Sequence, residues 1–366
     1  MSGGKKYWVG FGIGAGLLAL FFVTGDWQRL GNALAQANYW YIIPAILLYQ
    51  LSVVFRTMRW QVLLRHIQPI PVSRLFPVVV IGYMANNLLP MRIGELVRSY
   101  YLSDREQVSK TSAFVTIVIE RLLDALTLLV FIAVIAIFVP LLVIAEGFGE
   151  SSRVPWPTLV AGISLPFILA FGGLMLAAYR PARAAALGGA LITPLPRAVA
   201  DRLRPLIDLV IQGLAVLGSP RTVLGMFLLS MPIWLLEAGL FFVLGYSFGL
   251  ENAYDSIFEM AVAMVLVTAI SNIGSSVPAA PGGIGLFELV ARETLVLLPL
   301  AVIDRSTATA YVTVVHAVLL LPMIVLGQVF LLSGSVSLRR LWQAGGSLTT
   351  ESETSHTDTS DIEGPL

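Results

Sequence analysis

The sequence predicts an all-α, polytopic integral membrane bundle of about six to eight spans, with one or two re-entrant half-helix hairpins arranged as an inverted repeat. Three observations predict it. Hydrophobic residues make up 57% of the 366-residue chain and charged residues only 12%, whereas a soluble domain is about one quarter charged. Apolar runs of the length that crosses a bilayer core as helix recur along the chain. Two polar stretches, each carrying Pro, Gly, Glu and Arg in that order, interrupt the apolar pattern. Backbone groups in lipid must bond internally, so the spans are helices.

Lys5 and Lys6 precede the first apolar run, 7–23. A signal peptide would carry small residues just after such a run. The pattern ALAQA at 33–37 lies too far on, so a retained span is expected. Runs of suitable length follow at 39–55, 113–144, 157–179, 222–246, 257–273, 284–300 and 307–332. The run 75–90 is shorter and breaks into NNLLPMRIGELVR, 86–98. Segment 197–218 is amphipathic. Val199, Leu203, Leu206, Val210, Leu214 and Leu217 repeat at helical spacing opposite Arg197, Asp201, Arg204 and Asp208. It is expected to lie along the cytoplasmic surface, bent at Pro205. The transmembrane domain is expected over 1–344, and the acidic tail 345–366 has no apolar period and is expected to be disordered.

Lys and Arg set orientation. Arg56, Arg59, Arg65 and Arg74 follow the second run. Arg180, Arg183, Arg197, Arg202, Arg204 and Arg221 lie between 179 and 222, and Arg339 and Arg340 follow the last run. The opposite loops hold Arg29, Arg153 and Arg305 beside Glu146, Glu150, Glu251 and Asp255. Both termini are therefore expected in the cytoplasm, with the chain in the cell (inner or plasma) membrane. Arg74 precedes the segment 75–102, and Arg105 and Lys110 follow it. The segment is thus expected to enter and return on one side, turning near 86–94. The stretch SSVPAAPGGIGLFELVARE, 275–293, is its second copy: Pro281, Gly285, Glu288 and Arg292 repeat Pro90, Gly94, Glu95 and Arg98. Here two spans or a hairpin entering from the outside both fit, and the hairpin, which completes an inverted repeat, is preferred.

A helix begun inside the membrane offers free N–H groups and a positive dipole end, which suit an anion. Pro281, Gly282, Gly283 and Gly285 fit such a start, as do Pro90 and Gly94, and Arg92 and Arg98 add forked donors matched to phosphate. An ordinary Gly/Pro surface turn is the plain alternative, which the arginines and the second copy disfavour. Glu95 with Arg98, and Glu288 with Arg292, share helix faces. Each pair either neutralises itself or offers an acid to a cationic headgroup or a proton. In ERLLD, Glu120, Arg121 and Asp124 each cost about 2.5–3.5 kcal/mol at a helix centre, so they must face the bundle interior or a cavity. They read as a structural knot, as transport residues, or as a helix running into the cytoplasm. Asn86, Asn87, Glu237 and Asn272 are further intramembrane polar groups, and His316 is expected to be a packing residue.

The absence of cysteine excludes disulfides, a thiol nucleophile and thiolate metal sites. No P-loop, HExxH or Asp-x-Asp occurs, so neither a cofactor nor a nucleic-acid partner is expected.

In order, NNLLPMRIGELVR, ERLLD and PAAPGGIGLFE resemble the lysylphosphatidylglycerol synthase-type transmembrane family, the flippase-like half of the multiple peptide resistance factor. The resemblance implies a protein, not itself an enzyme, that moves a phospholipid or polyprenyl-linked lipid between leaflets. Lipids with anionic headgroups are the implied ligands, and lipid-modifying or glycosylation enzymes the implied partners. No aminoacyl-transfer domain is recognised, so synthesis of an aminoacyl lipid is not expected. The substrate site is expected at Asn86, Asn87, Arg92, Glu95, Arg98, Glu120, Arg121, Asp124, Pro281, Gly282, Gly283, Gly285 and Glu288. Two alternatives remain: a small-anion transporter with Glu95, Glu288 or Asp124 as proton carrier, and a membrane-embedded transferase using a lipid-phosphate donor.

Overall fold

The structure is a computed structural model that describes residues 27–89, 92–136, 180–193, 220–276 and 280–333, with isolated positions between 139 and 204. The expected span 7–23 and the tail lie outside these residues, as do Pro90 and, apart from isolated positions, 157–179 and 197–218.

Every regular element among the described residues is helical. In chain order these are α1 (Trp27–Gln36), α2 (Ile42–Leu64), α3 (Val72–Leu88), α4 (Gly94–Glu106) and α5 (Lys110–Ile135). After them come α6 (Pro181–Ile192), α7 (Pro220–Ser247), α8 (Ile257–Gly274), α9 (Leu286–Leu297) and α10 (Arg305–Ser333). The starts are written locally. Ser109 accepts from the Ser112 amide at α5, Ser256 from the Glu259 amide at α8, and Asp304 from the Ser306 and Thr307 amides at α10. Gln107, with φ 58°, ends α4 in the left-handed conformation.

Among the described residues, four stretches are long and apolar enough to cross a membrane: Tyr39–Leu64, Leu224–Ser247, Ile257–Gly274 and Arg305–Ser333. Helix α5 is equally long at 26 residues but carries Glu120, Arg121 and Asp124. Helix α9, with 12 residues, extends about 18 Å against a hydrocarbon core of about 30 Å. It does not fill the expected run 284–300.

One packing pattern occurs twice. Helices α2, α3, α4 and α5 follow one another as α7, α8, α9 and α10 do, and α3–α4 and α8–α9 each form a tight helical hairpin. Helix α2 packs along α7. The first arm of each hairpin packs on the last helix of the other half, α3 on α10 and α8 on α5. Trp60, Leu63, Leu75, Val79 and Ile117 centre one apolar core; Phe241, Met264, Phe287, Leu295 and Tyr311 centre the other.

One expectation is corrected here. Arg56 and Arg59 do not lie beyond the second span on the membrane surface. Helix α2 continues to Leu64, and the two arginines are 5% and 1% exposed inside the bundle. Apolarity stops at Phe55 but the helix does not, because carboxylates on neighbouring helices neutralise the arginines.

Candidate functional site

The first half holds a buried charge cluster. Asp124 Oδ1 lies 2.8 Å from Arg59, and its Oδ2 lies 3.7 Å from Arg56 and 3.6 Å from Arg121. Glu237 of α7 binds Arg56 at 2.6 Å and accepts from Asn272 at 3.0 Å. Glu120 lies 2.8 Å from Arg98, and Glu95 lies 3.6 Å from Arg121. Ser230 accepts from Arg59, and Trp234 donates to Asp124. The guanidinium of Arg98 stacks 3.6 Å from the Trp60 ring centre, and that of Arg56 lies 4.5 Å from Trp234. Four guanidiniums therefore face four carboxylates, which makes the burial of Arg56, Arg59, Arg98, Glu120, Asp124 and Glu237 tolerable, while Arg121 and Glu95 stay half-buried at the edge.

Arg92 stands outside this balance. It sits at the end of the first hairpin with φ 53° and donates to the Ser275 carbonyl at 3.2 Å, with no carboxylate partner among the described residues. It lies within electrostatic range of Arg121 and Glu95. The region thus carries one unbalanced positive charge beside a small pocket lined by Gly82, Tyr83, Asn86, Glu95, Arg98 and Arg121. Asn86 Oδ1, Arg98 Nε and Nη2, and Arg121 Nε are buried without hydrogen-bond partners. The close Arg98–Glu120 contact is a charge contact rather than an aligned hydrogen bond, since Glu120 Oε2 is also without a partner. Buried polar atoms left this way are costly, so the pocket, which has room for about one water, suits a water as it stands and a larger polar group only if α3 and α4 part.

The second hairpin is organised differently. Its tip is a short 3-10 turn, Pro281–Gly283, with Gly282 and Gly283 at positive φ. Gly285 Nα–H donates to Glu288 Oε2 at 2.7 Å, so the start of α9 is closed by its own acid. Glu288 Oε1 lies 2.7 Å from His316 Nδ1, and His316 Nε2 lies 3.1 Å from the Gly282 carbonyl. Phe287 stacks on the imidazole at 4.3 Å. The two hairpin ends meet: Arg92 reaches Ser275, and a side chain at Gly282 would touch the Asn87 carbonyl. Asn87 also donates to the Leu320 carbonyl of α10.

The structure brings Asn86, Arg92, Glu95, Arg98, Glu120, Arg121 and Asp124 together around α3–α5, and sets Gly282, Gly283, Gly285 and Glu288 around His316. Several pairings differ from those expected. Glu95 and Arg98 do not neutralise each other; each reaches α5. Glu288 pairs with His316 rather than Arg292, and Arg292 binds Glu293 at 2.8 Å. His316 is not an isolated packing residue. Gly94 serves helix crossing, because a Cβ there would collide with the Gly82 carbonyl and the Asn86 amide. Arg56, Arg59, Trp60 and Trp234 were missed, and Glu237 had no assigned partner. The signal for Arg56 and Arg59 was the apolar stripe that continues through Leu63 and Leu64.

A family model described as lysylphosphatidylglycerol synthase TM region matches residues 7–327. A UPF0104 membrane protein of Methanothermobacter thermautotrophicus is 26% identical over 290 residues, covering 74% of this chain and 79% of that one. Another, of Methanocaldococcus jannaschii, is 37% identical over 107 residues, 28% of this chain and 32% of that one. Glycosyltransferase AglD of Haloferax volcanii is 25% identical over 339 residues, 88% of this chain. The match covers 53% of AglD, so this chain spans about half of that relative. This relative overturns the expectation of a protein that is not an enzyme: a chain similar over most of this one bears an enzyme's name. The motifs that are missing exclude only soluble-type catalytic sites, which is too narrow a ground, and a GxSxG does occur at 245–249, where the Ser247 hydroxyl donates to the Asn38 carbonyl. With the family match running through both hairpins and the charge cluster, the chain belongs to the lysylphosphatidylglycerol synthase TM region family and is an integral, multi-pass membrane protein.

Proposed function

We propose that the protein carries a lipid with an anionic headgroup, a phospholipid or a polyprenyl-linked lipid, between leaflets. The observation that carries this reading is the pocket between α3, α4 and α5. It is lined by buried donors without partners, and the unbalanced Arg92 lies within electrostatic range of its Glu95 and Arg121. Arg92 and Arg98 hold the headgroup phosphate, Asn86 and Asn87 flank it, and Glu95 meets any cationic part of the headgroup. The acyl chains stay in the bilayer. Glu120 holds the guanidinium of Arg98 in position, and Asp124 those of Arg56, Arg59 and Arg121.

In this reading α3–α4 and α8–α9 are re-entrant hairpins that enter from opposite faces and meet near the midplane, as in inverted-repeat transporters. Three facts support it: the twofold packing pattern, the 12-residue length of α9 and the contact between the hairpin ends. Arg65, Arg74, Arg105 and Lys110 mark the cytoplasmic side. The Pro281–Gly285 backbone faces the first hairpin across the path, with its helix start closed by Glu288.

The test is Arg92→Gln in liposomes containing a fluorescent lipid with an anionic headgroup. Headgroup passage is expected to fall about a hundredfold, the scale of losing a charge-assisted bond to phosphate, while the variant elutes and melts as the native protein does. A native rate in the folded variant refutes the role.

A second reading is favoured by the similarity to glycosyltransferase AglD: a membrane-embedded transferase that takes a lipid-phosphate donor into the same pocket. A labelled polyprenyl phosphate sugar separates the two. A new product supports transfer; an unchanged lipid that appears in the opposite leaflet supports carriage.

A further inference from the structure

The Glu288–His316 pair has a property that hydrogen-bond geometry fixes. The Gly282 carbonyl can only accept, so His316 Nε2, 3.1 Å away, carries a hydrogen. Glu288 Oε2 is already occupied by the Gly285 amide. The remaining contact, His316 Nδ1 to Glu288 Oε1 at 2.7 Å, joins two groups that would both be acceptors if the imidazole were neutral and the carboxylate ionised. A contact this short requires a proton between them, on one atom or the other. The pair is buried, with His316 4% and Glu288 6% exposed, and Phe287 covers the ring.

We infer that Glu288 and His316 form a binding site for a single coupling proton, and that this proton pins the Gly282 tip of the second hairpin to α10. The inference rests on the transport reading, for which it supplies the coupling ion. With the proton bound, the ring bridges Glu288 and the Gly282 carbonyl, and the tip stays where it touches the end of the first hairpin. When the proton leaves, the neutral ring has one N–H for two acceptors and keeps it on Nδ1 for the carboxylate, so lone pairs oppose each other across Nε2 and the Gly282 carbonyl and the tip is released. The step only moves a proton: it leaves the pair for water or a neighbouring acceptor, and no covalent bond between heavy atoms changes.

Other titratable groups on the packed elements are engaged elsewhere or stand at the far end, as Glu259 does in the first turn of α8. On α9, Arg292 binds Glu293, which also binds Arg305 of α10 at 2.7 Å. On α10, the Tyr311 hydroxyl donates to the Phe241 carbonyl. On α7, Glu237 holds Arg56 and Asn272. On α3, Tyr83 accepts from Arg121 of α5, and from the first hairpin's end Arg92 donates to Ser275.

The native chain has no cysteine, so a single reporter is clean. Ala280→Cys, beside the tip, is labelled with a membrane-permeant thiol reagent over roughly pH 5 to 9. Rates are corrected for thiolate fraction with a free-cysteine standard. In the otherwise native chain, labelling should rise about tenfold with pH, the scale of losing a charge-assisted hydrogen bond. Glu288→Gln should hold labelling low at every pH. Its carbonyl accepts from Gly285 and its amide donates to Nδ1, imitating the protonated pair without titrating. His316→Phe keeps the stack on Phe287 but removes the pin, so labelling should be high at every pH. A flat native profile, or the native rise persisting in Glu288→Gln, overturns the inference. A parallel assay of lipid movement keeps the two readings apart. The expected labelling without lipid movement leaves the proton site standing and defeats the transport reading. Lipid movement with flat labelling does the reverse.

Discussion

The two hairpins have the same order of helices, equivalent partners in opposite halves and a similar run of Pro, Gly, Glu and Arg, yet they are held by different chemistry. Around the first, four arginines and four carboxylates from α2, α4, α5 and α7 compensate one another. Around the second, a single Glu–His contact and a carbonyl hold the tip to α10. A charge-balanced cluster is rigid, because moving any member strands an ion in a low-dielectric interior. A pair closed by one proton can open at the cost of that proton. The difference assigns framework to the first half and movement to the second.

The largest effect that tests this contrast is on stability. Asp124→Asn leaves Arg56, Arg59 and Arg121 around a neutral amide and should lower unfolding free energy by about 3–5 kcal/mol, the range for breaking a buried pair. Glu288→Gln should cost less than about 1 kcal/mol, since its hydrogen bonds survive in altered form. Denaturant unfolding in mixed micelles measures both. Equal losses would erase the distinction between the halves.

The sequence made the all-α membrane class legible, because apolar runs of bilayer length leave little else. It also made the interior position of Glu120 and Asp124 legible, since charges in mid-run must turn inward. Their partners were not. Arg56 and Arg59 follow an apolar run and look like surface charges, and only the tertiary packing of α2 on α5 and α7 makes them interior. Glu288 has Arg292 four residues away, but its partner lies on another helix, and no local spacing encodes that crossing. Gly94 reads as an approach site for a ligand until α3 is seen lying against it.

The hairpin crossings give the next test. A Cβ at Gly94 would overlap backbone atoms of Gly82 and Asn86, and backbone cannot step aside. At Gly274 a Cβ would meet Val290 Cγ1 at 2.9 Å, a side-chain atom with some freedom to move. Gly94→Ala should therefore cost about 1–3 kcal/mol, the range for overpacking a filled interior, and Gly274→Ala less. Because Gly94→Ala spreads α3 from α4, it should also disturb the pocket and slow headgroup passage. The reverse order of stability would mean that the second hairpin is the tighter one.

The smallest effect concerns the ion pair at the rim of the second half. Arg305 binds Glu293 at 2.7 Å, as short as the Arg59–Asp124 contact in the deep cluster, but its side chain is 45% exposed. Water already solvates that guanidinium, so Coulomb attraction is weak and ordering two long side chains offsets much of it. Arg305→Ala should cost about 0.2–1 kcal/mol, with Glu293 keeping its contact to Arg292. The loss should shrink further as salt is raised from about 0.05 to about 0.5 M, because the screening length drops below the spacing of surface charges. The Asp124→Asn loss should hardly respond, since counterions do not reach the buried cluster. If Arg305→Ala cost as much as Asp124→Asn and showed no salt dependence, the number of charges rather than their burial would govern stability. The contrast between a rigid first half and a mobile second would then lose its physical basis.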